Sequence, residues 1–223
     1  MKNNFKKLLH SDRFVVIIGL IVVPLFSFML ITIGDESPLY TSISRIAWVH
    51  GEWLLTFVWA LVVMCAIGWI THLLVYSGPL SDGAKQIFML YQSINIILTF
   101  VGCIIFPAKD GVALVRLVNY LHDYLTVVAW ALYGLGLLFY SFVLKRHDRF
   151  LGFLGLGLMS FIILSSAFFV SNVIDATSYV GASAVAEVYI INSFLIYLVV
   201  MYLFERVRLE SPRSRTNTDK SSK

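Results

Sequence analysis

Apolar residues in this chain gather into six long blocks, each cut off by polar or turn-forming residues, at 14–33, 53–75, 87–106, 123–144, 150–171 and 187–204. Each block holds about 18 to 23 residues, and at ~1.5 Å rise per residue a helix of that length covers the ~30 Å hydrocarbon core of a bilayer. Backbone amides in hydrocarbon are satisfied only within a helix or around a closed barrel, and barrel strands show short runs alternating at a period of two. The blocks therefore predict six transmembrane helices.

The breaks carry turn chemistry. Gly34, Asp35, Glu36, Ser37 and Pro38 follow the first block, Ser77, Gly78 and Pro79 the second, and Pro107 the third. Lys145, Arg146, His147, Asp148 and Arg149 form so short a charged turn that the fourth and fifth blocks must pair as an antiparallel hairpin. Lys2, Lys6, Lys7 and Arg13 ahead of the first block resemble a secretory signal. The block is long enough to span, however, and ends in Thr32, Ile33, Gly34, Asp35 without a small-residue cleavage site, so it is expected to stay as the first span.

Composition places the blocks in lipid. Hydrophobic residues are 59% of the 223 and charged ones 13%, about half the charged share of a soluble domain, and an apolar excess of that size exceeds what one soluble core can bury. The fold class expected is all-α, a polytopic transmembrane bundle. Residues 1–13 form a basic amino-terminal segment, 14–206 the six-helix domain and 207–223 a basic, polar tail of disordered composition.

Charge sets the expected orientation. Of the 17 Lys and Arg, all but Arg45, Lys109 and Arg116 fall on the side of the two termini, so the positive-inside rule places both termini in the cytoplasm. The net charge of +4 needs no nucleic acid to account for it; the bilayer is the expected partner, with a second membrane protein or another copy of the chain as a further one. Cys65 and Cys103 lie inside apolar blocks and read as small buried hydrophobes. Little loop sequence separates the blocks, which suggests a bacterial plasma membrane.

Sorted by depth, the remaining ionisable groups point to one end. His50, Glu52, His122, Asp123, Asp175 and Glu187 stand at the outer ends of four blocks and are the candidate binding residues, an outward-facing polar layer that forms either a pocket or a wet interface. His50-x-Glu52 and His122-Asp123 are ligand types suited to zinc and to general-base chemistry, but residues two apart on a helix face different ways and cannot aim at one ion. Haem needs facing histidines at depth, and His50, His72, His122 and His147 all lie near block ends. No metal or cofactor is expected. Asn95, Thr99, Ser160, Ser165, Ser166, Asn192 and Ser193, inside the blocks, are expected to bond across helices. Gly152, Gly155 and Gly157 are expected to bring the fifth block close to Ala131 and Gly134 of the fourth.

Gly102, Cys103, Ile104, Ile105, Phe106, Pro107, then Asp110, then His122 opening an apolar helix, resemble a pattern in bacterial multispanning proteins of the domain-of-unknown-function 998 family. That resemblance covers about 40 residues and implies a bundle of six or seven spans with no assigned activity. The seven-span metal-dependent lipid hydrolases, which include alkaline ceramidases and adiponectin receptors, carry a His-x-x-x-His pair on the last helix; residues 187–204 contain no His. Three functional readings remain: a small-solute or lipid transporter or accessory subunit with an outward polar pocket, a metal-dependent hydrolase of the outer leaflet, and a structural partner in a membrane assembly.

Overall fold

The computed structural model describes residues 12–33, 42–48, 51–104, 113–177 and 184–210. All the secondary structure among them is helical: α1 (Asp12–Ile31), α2 (Ile43–Trp48), α3 (Trp53–Ser77), α4 (Asp82–Ile104), α5 (Ala113–His147), α6 (Arg149–Thr177) and α7 (Ala184–Glu210). Six of these, all but α2, are long and apolar enough to cross a membrane. The end that carries Asp12, the α3–α4 turn and the α5–α6 turn is called basal below, and the opposite end apical.

The helices outrun the apolar blocks. α5 has 35 residues, roughly 52 Å, and begins ten positions before the block at 123. Hydropathy marks where a helix enters lipid, whereas its hydrogen bonds continue into the interface. The expected α5–α6 hairpin is present: Asp148 alone separates the two helices, and its Oδ1 accepts the Leu151 N–H at 3.0 Å as a cap for α6. A Cβ on Gly152 would overlap the Lys145 backbone, so glycine sets the hairpin's closeness. Gly155 lies against Ser141 of α5 and Met201 of α7, while Gly157 has open space around it and Ala131 is exposed. Gly134 turns chiefly toward Phe194 of α7. The small-residue seam is thus shorter than the spacing suggested.

Helices α3, α4, α5, α6 and α7 pack in sequence, and α7 returns against α3 to close a ring. Side chains of α5 reach across it to α3 and α7, and Tyr133 and Tyr140, with Tyr197 of α7, are fully buried. Helix α1 lies outside, in the groove between α3 and α7. Its buried face repeats every fourth residue, at Val15, Gly19, Val23, Ser27 and Ile31. On a straight α-helix such a repeat overshoots by roughly 40° at each step. The drift is offset by a π-helical stretch at Ile18–Val22, where the Val23 N–H bonds to the Ile18 carbonyl just ahead of Pro24. Proline lacks an N–H and crowds the preceding turn, which favours widening at this point. Trp59 Nε1 then donates to Ser27 Oγ at 2.9 Å, tying α1 to α3.

Candidate functional site

Two of the six apical candidates have described side chains, and both belong to one structure. The Glu187 Oε2 accepts the Ile43 N–H at 2.8 Å, so the first turn of α7 caps the amino end of α2. At the other end of α2, Gly51 takes φ +80°, a conformation that favours glycine, and the chain turns into α3. There the Glu52 N–H donates to the Ile46 carbonyl at 3.3 Å, and Thr56 returns its N–H and hydroxyl to the Glu52 carbonyl. Ile43, Ile46 and Ala47 are buried at one-turn spacing, so α2 is a short helix seated on the apical ends of α3 and α7. The six-residue block 43–48 was too short for hydropathy to mark, but Ile43, Ile46 and Ala47 carry an i, i+3, i+4 pattern that betrays it. His50 lies outside the described residues. His122 and Asp123 fall on α5 and Asp175 on α6, with side chains outside the described set.

Below that layer is a feature that block-end reasoning missed. Gln92, Asn95, Thr99 and Gly102 stand on α4 at spacings of three and four, one face of a helix, and all four are buried. Asn95 and Thr99 do not bond across helices as expected. Asn95 Nδ2 donates to the Tyr91 carbonyl at 3.1 Å and Thr99 Oγ1 to the Asn95 carbonyl at 2.9 Å, both within α4. Helical back-bonding uses the Thr99 hydroxyl donor and one of the two Asn95 N–H donors, and leaves oxygen lone pairs for the bundle interior. Of the other polar positions, Ser165 alone shows the expected cross-helix bond: the Tyr189 hydroxyl donates to its Oγ at 2.7 Å.

Gln92 does cross. Its Nε2 donates to the Tyr133 carbonyl of α5 at 3.2 Å, and the Tyr133 hydroxyl pairs at 2.6 Å with Thr71 Oγ1 of α3. Gly136 makes room for this junction, since a Cβ there would stand 2.7 Å from Gln92 Nε2. With Nε2 committed to a carbonyl, the amide's orientation is determined and Oε1 can only accept. That Oε1 is buried with no hydrogen-bond partner, as are Asn192 Oδ1 on α7 and Ser166 Oγ on α6. Leaving such an atom unpaired costs roughly 1–3 kcal/mol.

Toward the basal end the ring is filled. The Tyr140 hydroxyl donates to the Leu74 carbonyl at 3.1 Å, and Ser141 Oγ and the Tyr197 hydroxyl lie 2.7 Å apart; Trp130, a turn apical of Tyr133 on α5, stacks on Phe194 with 5.2 Å between centroids. At the basal rim, Asp12 Oδ1 accepts the Tyr202 hydroxyl at 3.1 Å and lies 3.6 Å from Arg206 Nε, joining α1 to α7. Glu205 is fully buried and held by Arg208, whose Nε donates to Oε2 at 2.9 Å and whose Nη2 donates to Oε1. Its only sequence sign was an acid three residues before an arginine on one helix face.

Among the described residues no three His, Cys, Asp or Glu side chains converge as a metal site would need. Compared with protein families, with curated proteins and with solved structures, the chain matches none.

Proposed function

We propose that this is a non-enzymatic multi-pass protein of a cell membrane, a small-solute or lipid transporter or accessory subunit, that admits a polar ligand at its apical end. In this reading the basal end and both termini face the cytoplasm, as the placement of 14 of 17 Lys and Arg on that side supports. A bacterial plasma membrane fits the short connections. The resemblance to the domain-of-unknown-function 998 family is compatible with this reading and adds no activity to it.

The observation that carries the proposal is Gln92 Oε1, an acceptor with no partner in the interior of an apolar bundle. A packing amide in lipid ordinarily satisfies both its ends within the protein. An unpaired acceptor on a polar stripe that climbs α4 toward the apical end is accounted for by a donor entering from outside the chain. The aromatic packing of Tyr133, Tyr140 and Tyr197 below it supports a site closed on the basal side.

Access tests the reading. With Cys65 and Cys103 replaced by alanine, Asn95→Cys should react with a membrane-impermeant thiol reagent added outside intact cells, and Ser141→Cys should not. Labelling of neither, or of Ser141→Cys in preference, overturns the apical site. A carboxyl-terminal reporter active outside the cell overturns the orientation.

A further inference from the structure

We infer that the ligand of this site is uncharged and hydroxyl-bearing, a polyol whose hydroxyls donate to Gln92 Oε1 and to the acceptors above it on α4; the inference rests on the apical site proposed above. Three features converge on that class. The first is polarity of the hydrogen bond. Gln92 Nε2 gives one of its two N–H groups to the Tyr133 carbonyl, and Oε1 is the amide atom left with no partner, so a ligand group that meets Oε1 must donate. Thr99 repeats the arrangement, its one hydroxyl donor turned back into α4, and Asn95 turns one of its two amide N–H groups back the same way, leaving Oδ1 as an acceptor.

The second is charge. None of the six apolar blocks has an Asp, Glu, Lys or Arg between its two end residues. The described carboxylates and cations lie at the rims: Glu52 and Glu187 apically, the rest basally. Among the described residues, an ammonium ion at the depth of Gln92 would shed its hydration facing only neutral dipoles, and a phosphate or carboxylate would meet no cation and few donors. A buried ion without a counter-charge is far more costly than a buried hydroxyl. The third is spacing. Acceptors on successive turns of one helix face stand ~5–6 Å apart, which favours a ligand with more than one hydroxyl.

The same chemistry has two sources, a free polyol from the aqueous side and an uncharged hydroxylated lipid such as diacylglycerol. The full chain in phosphatidylcholine nanodiscs separates them. Thermal unfolding is followed against myo-inositol, with glycine betaine at matched osmolality as the control without hydroxyls, and separately in nanodiscs with and without dioleoylglycerol. One arm should raise Tm saturably above its control. Gln92→Leu, which keeps the volume and removes the acceptor, should weaken the apparent affinity about tenfold, equivalent to ~1.4 kcal/mol. Thr99→Val, expected to fold in any case, should weaken it in the same direction and by less.

Shifts no larger than the controls in both arms, or equal shifts in wild type and both variants, overturn the inference and leave Gln92 with an internal water at most. If those results accompany external labelling of Asn95→Cys, the apical site stands and only the ligand class fails. If Asn95→Cys is not labelled, the site itself fails.

Discussion

Gly78 faces the Tyr140 hydroxyl so closely that a Cβ at residue 78 would overlap it, while that hydroxyl donates to the Leu74 carbonyl at 3.1 Å. The backbone at Gly78 is extended, with φ −79° and ψ 174°, which any residue adopts. Space, not conformation, therefore demands glycine. Tyr140 thus caps the end of α3 from α5, one of the links that close the basal half of the ring.

Gly78→Ala is expected to destabilise the protein by ~1–3 kcal/mol through overpacking, seen as a lowered Tm in detergent. Tyr140→Phe in the same background should recover part of the loss by removing the overlapping oxygen. A double-mutant cycle with no coupling between the two positions contradicts the contact.

Ser141, Tyr197 and Gly155 bring α5, α7 and α6 together, and the steric term should outweigh the hydrogen bond. Ser141→Ala removes the interhelical bond to Tyr197, worth on the order of 0.6 kcal/mol, and a back-bond to the Leu137 carbonyl within α5. Gly155→Ala puts a methyl 2.6 Å from Ser141 Oγ and 3.0 Å from Met201 Cε. It should cost more, roughly 1–3 kcal/mol. Denaturant midpoints that rank the two variants the other way would refute this ordering.

Removing one member of the Glu205–Arg208 pair should have unequal consequences. Arg208→Leu leaves a carboxylate that is 1% exposed without its cation, a change of the kind that costs ~3–5 kcal/mol. Glu205→Leu leaves Arg208, which is 31% exposed and long enough to reach water, so its cost should be smaller. Replacing both with leucine should recover most of the Arg208→Leu loss, and unfolding of the three variants under one set of conditions tests the ranking.

Glu187→Ala should free α2 while leaving the ring intact. Loss of the cap on Ile43 is expected to cost ~0.5–2 kcal/mol, confined to the apical end. Hydrogen exchange of a peptide covering residues 43–48 should accelerate, with α3 and α4 unchanged. Glu187→Gln retains an acceptor oxygen and should have the weaker effect. Exchange that rises throughout the bundle would show that Glu187 does more than hold α2.

The sequence by itself determined the fold class and the number of spans, because transfer into lipid is summed over some twenty consecutive residues and survives any local detail. It also determined the α5–α6 hairpin, since five residues between two spans leave no other path. The marking of Glu52 and Glu187 at the apical end came from their places at block boundaries. Tertiary structure alone decided what each does there: Glu187 caps a helix 144 positions away in sequence. It also decided that Asn95 and Thr99 bond within α4, that Gln92 is left with an open acceptor, and that Gly157 faces no helix. Hydropathy reports how much a residue favours lipid over water. Which hydrogen-bond partner or neighbour it meets depends on the rotation and tilt of helices whose surfaces are apolar on nearly every side, and that is settled only when the helices pack.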